Sequence, residues 1–71
     1  MSERVPVEVD DGVAHVRMNR PEKMNALDTD MFDGILAAAD RIRADLSVRA
    51  VVLSGEGEAF SAGLDVASLG Q

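Results

Sequence analysis

One short run of apolar residues, Ala50-Val51-Val52-Leu53, restricts the fold of this chain more than any other segment. The run is continuously apolar and contains β-branched valines, which is typical of a strand covered on both faces in a parallel sheet. Parallel neighbouring strands need a crossover connection, which is usually a helix. The run therefore predicts a βαβ unit, with a helix and an earlier strand before it in the chain.

The residues before this run have the pattern of the crossover helix, which we expect from Asp28 or Thr29 to about Asp45. Either of these first two side chains is suited to cap the helix N-terminus. Gly34 lowers helix stability by up to about 1 kcal/mol relative to alanine, so we expect it to mark close packing against a neighbour. The apolar residues at helical spacing are Met31, Ile35, Leu36, Ala39, Ile42 and Leu46.

A β-hairpin is predicted before the helix. Apolar residues alternate from Val5 to Val9, and Pro6 favours a strand start or an edge strand. The segment Asp10-Asp11-Gly12 is typical of a turn, and Val13 to Met18 reads as the returning strand. His15, the single histidine, has no second histidine or carboxylate beside it in sequence, so we expect a surface or interface residue rather than a ligand.

Length and charge exclude several classes of protein. A chain of 71 residues permits at most one small domain, and the absence of cysteine removes disulfides, thiolate metal sites and a nucleophilic thiol. Thirteen acidic and seven basic side chains give a net charge of −6 without a basic stripe, so nucleic acid is not an expected partner. No apolar run approaches the roughly 20 residues that cross a bilayer, and no leader pattern is present. We expect a cytoplasmic protein without a membrane partner.

Two irregular loops should meet at one edge of the sheet. The loop Asn19 to Leu27 follows the first parallel strand, and the loop Gly55 to Leu64 follows the second. A right-handed crossover places both at the carboxyl ends of these strands, where open α/β sheets bind ligands. Small residues in Ala59 to Asp65 expose backbone N–H groups that can stabilise an oxyanion. The alternative is an ordinary tight turn after a strand.

Other chemistries fit these loops poorly. The segment Gly55 to Phe60 begins like a dinucleotide-binding loop, but it ends on phenylalanine and carries two glutamates where a pyrophosphate would lie. No lysine follows a glycine-rich loop in the manner of a P-loop. Ser61 lacks the elbow motif of a nucleophilic serine. Glu56 and Glu58 would act as acid and base only if they were desolvated, whereas a glycine-rich loop favours solvation.

Three stretches and the helix between them resemble the N-terminal part of the enoyl-CoA hydratase/isomerase (crotonase) family. The stretches are Asn19 to Leu27, Arg49 to Gly55 and Ala59 to Asp65, and the likeness extends over nearly all of the chain from Val7. The resemblance implies an α/β fold, the N-terminal part of a crotonase-like spiral of ββα units. Residues 1–71 would then be an incomplete portion of a single crotonase-like domain, and the full-length form a homotrimer or hexamer.

The resemblance also implies the substrate class and the site. Members bind acyl-CoA thioesters and hold an enolate-like intermediate with two backbone N–H groups, the first of which corresponds to Leu64. Coenzyme A would enter as part of the substrate, with no permanently bound cofactor and no metal. Lys23 would approach its phosphates or ribose as a point charge, and Asp65 would orient the loop rather than transfer protons. The positions implied to contact coenzyme A are Lys23, Ala26, Leu27, Ala62, Gly63, Asp65 and Val66.

The expected activity is hydration of a 2-enoyl-CoA in fatty acid metabolism, with enoyl-CoA isomerisation as the alternative. The family's acidic residues and its second N–H donor have no counterpart in these 71 residues, so we expect the chain alone to be inactive. It would be a fragment, a truncated gene product or a segment that needs other chains. A hypothesis from another class is a non-catalytic CoA-binding or interaction segment, whose uncovered apolar surface would cause association.

Overall fold

The computed structural model describes residues 4–69, which form a three-stranded sheet with one long helix. The strands are β1 (Val7–Asp10), β2 (Val13–Met18) and β3 (Ala50–Gly55). The helices are α1 (Thr29–Ala44) and the short α2 (Val66–Leu69), and Pro21–Lys23 forms a single 3₁₀ turn. None of the helices in this range is long and apolar enough to cross a membrane.

The sheet has the order β1-β2-β3 and confirms the predicted topology. Strand β1 pairs with β2 in antiparallel orientation, and β2 pairs with β3 in parallel orientation. The hairpin turn consists of Asp11 and Gly12, which both have positive φ, of 52° and 79°. A two-residue turn with both central residues at positive φ matches the twist of antiparallel strands. Pro6 directly precedes β1, which lies at the sheet edge as predicted.

The core lies between β2 and α1. The buried side chains of β2 alternate along the strand, as expected for one covered face; they are Ala14, Val16 and Met18. From α1, Met31 and Ala38 are buried against this layer. A Cβ atom on Gly34 would come within 2.6 Å of Cγ2 of Val5. The close packing predicted for this glycine is therefore confirmed.

Helix α1 begins where the capping residue predicts. The Asp28 side chain accepts a hydrogen bond from the N–H of Met31 (2.9 Å), which satisfies one of the free donors of the first turn. The predicted apolar face was too wide, however. Leu36 and Ala39 are exposed, and Leu46 lies beyond the helix with its side chain in solvent. The reason is that α1 packs mainly against β2, so only a narrow stripe of the helix meets the sheet.

Strand β3 is present, but the prediction that both of its faces are covered is wrong for residues 4–69. Val51, Val52 and Leu53 are 52%, 46% and 48% exposed. The register pairs Ala14 with Val51, so Val51 shares the helix-facing side of the sheet. Because α1 packs mainly against β2, it leaves Val51 on this neighbouring strand about half exposed. Both faces of β3 therefore remain accessible in the described part of the chain.

Candidate functional site

Backbone hydrogen bonds join the loop after β2 to the loop after β3, as predicted. The N–H of Leu27 donates to the carbonyl of Gly63 (2.7 Å), and the N–H of Asp65 donates to the carbonyl of Leu27 (3.0 Å). These two bonds form an isolated parallel bridge between Leu27 and Leu64. The N–H of Ala62 also donates to the carbonyl of Met24 (2.9 Å). The two loops thus form one structural unit.

Asn25 fixes the two loops to each other. Its side chain is fully buried, and its Oδ1 accepts from the N–H of Arg20 (2.8 Å). Its Nδ2 donates to the carbonyls of Glu56 (2.9 Å) and Ala59 (2.8 Å) on the other loop. An asparagine in an irregular loop is ordinarily a turn or capping residue. A buried amide that satisfies three backbone groups is a larger role, and only the fold shows it.

The end of β3 has no room for a side chain. A Cβ atom on Gly55 would collide with the carbonyl oxygen of Phe60, with Nδ2 of Asn25 and with the carbonyl oxygen of Ala59. Glycine is therefore needed here because the second loop folds back directly over the strand end. This close approach brings the Ala59 carbonyl within reach of Asn25.

Ser61 organises the turn rather than offering a nucleophile. Its hydroxyl donates to the carbonyl of Asn25 (2.9 Å) and accepts from the N–H of Gly63 (3.1 Å). Gly63 has φ of 89°, and no atom lies within 4 Å of the position of an added Cβ. Glycine is required there by backbone conformation rather than by space. Both polar functions of the Ser61 hydroxyl are thus occupied within the loop.

The backbone N–H of Leu64 points away from the first loop. It belongs to the same peptide unit as the Gly63 carbonyl, and in a planar trans peptide these two groups point in opposite directions. The carbonyl bonds to the N–H of Leu27, so the N–H of Leu64 is directed to the other side of the bridge. Within residues 4–69 no acceptor is found for it. This N–H is therefore available to a ligand.

Arg20 connects the same two loops through charge. Its Nη1 donates to Oδ2 of Asp65 (2.8 Å) and to the carbonyl of Ala26 (3.1 Å), and lies 3.4 Å from Oδ2 of Asp28. The Arg20 hydrogen bond, with a second from the N–H of Ser68, lowers the pKa of Asp65 below its usual value. Asp65 is therefore ionised at neutral pH. A carboxylate held in this way fits an orienting role better than proton transfer.

The remaining predicted positions surround the paired segments. Ala26 and Leu27 are half-buried, and Ala62 is exposed beside Gly63. Lys23 is exposed at the end of the 3₁₀ turn, and Val66 is exposed at the start of α2. The bridge brings together four of the predicted positions, namely Leu27, Gly63, Leu64 and Asp65, and a separate bond to Met24 holds Ala62 beside them.

His15 lies apart from this site. It is exposed on the sheet face opposite the core, in an open groove of about 480 Å³ lined by polar side chains such as Glu8 and Arg17. No group of three or more histidine, cysteine or acidic residues that could hold a metal ion occurs in residues 4–69. The two loops joined by the Leu27–Leu64 bridge hold most of the predicted positions and are the candidate site.

A family model described as enoyl-CoA hydratase/isomerase matches residues 8–71, including both loops of the candidate site. The chain belongs to the enoyl-CoA hydratase/isomerase family. The crystal structure of an enoyl-CoA hydratase/isomerase from Xanthobacter autotrophicus Py2 superimposes on the chain with a TM-score of 0.85 and 45% sequence identity. The match covers 90% of this chain and 24% of that one. The predicted crotonase fold is therefore confirmed.

Relatives within the enoyl-CoA hydratase/isomerase family carry different reaction names. The chain is 52% identical over 64 residues to a Thermus thermophilus protein named after enoyl-CoA hydratase, a match that covers 89% of this chain and 25% of that protein. It is 47% identical over 62 residues to 4-chlorobenzoyl coenzyme A dehalogenase-2 from an Arthrobacter species, covering 87% and 22%. The chain spans about a quarter of the length of these relatives. The family is enzymatic and acts on acyl-CoA substrates.

Proposed function

We propose that this chain contributes half of the thioester site of an enoyl-CoA hydratase, which adds water across the double bond of a 2-enoyl-CoA. One observation carries the proposal: the Leu64 N–H is directed away from the Leu27 bridge and has no acceptor within residues 4–69. Gly63 and Ser61 hold the peptide that carries this N–H. A rigidly held backbone donor is suited to bind an oxygen on which negative charge develops.

The chemistry of this donor follows from where the charge moves. As water adds to the double bond, electron density shifts onto the thioester oxygen and gives an enolate-like intermediate. A hydrogen bond from Leu64 becomes stronger as that charge grows, so it lowers the barrier rather than only binding substrate. Loss of one such donor costs about 100- to 1000-fold in kcat in comparable sites. The second donor that the family likeness implies is not identified within residues 4–69.

The coenzyme A contacts are part of the same proposal. Lys23 is exposed and free to reach a phosphate as a point charge. Asp65 acts through its ion pair with Arg20, which holds the loop that carries Leu64. The other residues proposed to line the coenzyme A are Ala26, Leu27, Ala62, Gly63 and Val66. Coenzyme A is bound as part of the substrate, in a cytoplasmic enzyme of fatty acid metabolism that assembles as a homotrimer or hexamer.

The donor role is tested by replacing the N–H group of Leu64 alone. In the whole enzyme, the amide N–H of residue 64 is replaced by an ester oxygen, which deletes the donor and keeps the leucine side chain. Leu64→Ala is the matched control, because it removes the side chain and keeps the N–H. We expect kcat for 2-enoyl-CoA hydration to fall about 100- to 1000-fold in the ester variant and to change little in Leu64→Ala.

Unchanged turnover in a folded ester variant would refute the role of Leu64. The product separates the reactions: a 3-hydroxyacyl-CoA identifies a hydratase, whereas a displaced double bond identifies an isomerase. The dehalogenase among the relatives makes this product analysis necessary.

The exposed apolar strand β3 favours a second candidate, a non-catalytic CoA-binding or interaction segment. Titration of the chain with coenzyme A distinguishes a CoA-binding segment from an interaction segment. Binding that is weakened by Lys23→Ala but kept by Lys23→Arg supports a retained half-site, because arginine keeps the positive charge that alanine removes. Absence of binding leaves an interaction segment.

A further inference from the structure

Arg20 is placed to control the position of the Leu64 peptide, although it lies far from it in sequence. Its guanidinium bonds to Asp65, the residue that directly follows Leu64. The same nitrogen donates to the carbonyl of Ala26, directly before Leu27. Arg20 therefore bonds to both segments of the bridge, at the residue before Leu27 and at the residue after Leu64.

The Arg20 backbone is itself held firmly. Its N–H donates to Oδ1 of Asn25, and its carbonyl accepts from the N–H of Asn25, both at 2.8 Å. The side chain is only 13% exposed, so water screens its ion pairs less than those of a surface arginine. Because its backbone is held by Asn25 and its guanidinium is largely shielded from water, Arg20 can hold the Asp65 carboxylate in one position.

The Leu64 peptide is anchored on both sides. Before it, the N–H of Gly63 bonds to Ser61. After it, Asp65 is held by its own N–H to Leu27 and by its carboxylate to Arg20. Without the Arg20 contact, the backbone bridge alone would join Asp65 to the first loop, because the other bond of its carboxylate is to the N–H of Ser68 in α2. Reorientation of this peptide changes the direction of the donor, and a displacement of about 1 Å in such a site can cost about 100-fold in rate.

We propose that Arg20 is a positioning residue for the oxyanion donor, holding Asp65 so that the Leu64 N–H is aimed at the thioester oxygen. This inference rests on the proposed function of the Leu64 N–H. It assigns Arg20 no contact with substrate. Lysine should replace it poorly, because an ammonium is more strongly hydrated than a guanidinium and stands on a more flexible stem, so it is less suited to a partly buried ion pair.

Arg4 provides a matched control. Its Nη1 lies 2.6 Å from Oδ1 of Asp28, and its side chain is 21% exposed. Both arginines therefore form a partly buried ion pair with Asp28, but of the two only Arg20 bonds to Asp65. Arg4→Ala and Arg20→Ala should lower stability in the same direction. Only the second should change the thioester site.

The experiment measures how strongly the whole enzyme polarises a bound carbonyl. A saturated acyl-CoA labelled with ¹³C at the thioester carbon is bound to each variant, and its C=O stretching frequency is recorded by difference infrared spectroscopy. We expect wild type and Arg4→Ala to shift the band to lower frequency, and Arg20→Ala to lose most of that shift. The value of kcat should fall about 10- to 100-fold in Arg20→Ala, with a smaller change in KM, and Arg20→Lys should restore it only in part.

A folded Arg20→Ala enzyme that keeps both the band shift and kcat would overturn the positioning role alone. If wild type binds the acyl-CoA without any band shift, the proposed function itself fails, and this inference fails with it. Should Arg20→Ala not fold, Asp65→Asn addresses the same contact, since it removes the charge at nearly constant shape. It should then lose part of the band shift, and an unchanged shift in Asp65→Asn would contradict the inference.

Discussion

Asn25 is the single residue on which the geometry of the two loops depends most. It is fully buried, and its amide bonds to backbone groups of Arg20, Glu56 and Ala59. It also has φ of 56°, a conformation that asparagine adopts more readily than most residues. Glutamine is the only other side chain with the same amide group, and it is one methylene longer. The position thus demands a specific amide rather than a generic polar residue.

Asn25→Asp tests this requirement at nearly constant shape. The carboxylate can still accept from Arg20, but it cannot donate to the two carbonyls and opposes them with its charge. We expect the free energy of unfolding to fall by about 2 kcal/mol, because two partly buried carbonyl acceptors lose their partner. Urea-induced unfolding monitored by circular dichroism measures the change.

Met24→Asp is the matched control for Asn25→Asp. Met24 is exposed, lies next in the chain and has almost the same backbone conformation, with φ of 50°. The control adds the same charge without removing a buried amide, so its effect should stay within about 0.5 kcal/mol. Equal losses in the two variants would show that charge in this loop, rather than the amide contacts, determines stability.

The first and last residues of helix α1 were predicted correctly, but its buried face is narrower than predicted. Its capping residue, length and start follow from local patterns, and the structure agrees with them. The width of its buried face depends on what lies beneath it, and α1 packs mainly against β2. At Gly34 the helix approaches another segment closely, since Val5 occupies the space of a Cβ atom.

Gly34→Ala has two opposing effects on the stability of this helix. Alanine improves helix propensity by about 1 kcal/mol, but its methyl group would lie 2.6 Å from Cγ2 of Val5. Overpacking of this kind typically costs about 1 to 3 kcal/mol. We therefore expect Gly34→Ala alone to lower the melting temperature, and the same change made in a Val5→Ala background to raise it.

Ala37→Gly calibrates the propensity effect, because Ala37 is exposed on the same helix. Its loss in stability should equal the gain from Gly34→Ala in the Val5→Ala background. A gain from Gly34→Ala in the wild-type background would contradict the proposed contact with Val5.

At the scale of the whole molecule, the sheet is wider than the helix that covers it. Strand β3 leaves three large apolar side chains about half exposed, and they lie on both faces because side chains alternate along a strand. A sheet edge with exposed apolar residues favours pairing with another chain. The chain by itself therefore has the surface of an incomplete assembly.

We expect the isolated 71-residue chain to self-associate in a concentration-dependent manner, as measured by sedimentation velocity. Leu53→Glu should shift it toward monomer, because a charge then replaces an apolar contact on β3. Leu46→Glu is the control: Leu46 is 97% exposed but lies outside the sheet, and the variant gains the same charge. A compact monomer at every concentration, or an equal effect of both variants, would contradict association through β3.

The order of the strands, the helix bounds and the meeting of the two loops could be predicted from the sequence, because each depends on local periodicity and on the rules of βαβ connection. The roles of Asn25, Arg20 and Gly55 were decided by the tertiary structure alone. Asn25 bonds to a residue 31 positions away, and Arg20 to one 45 positions away. Such pairs leave no periodic signal in a single sequence. The exposure of β3 likewise depends on which surface α1 covers, which only the packed structure defines.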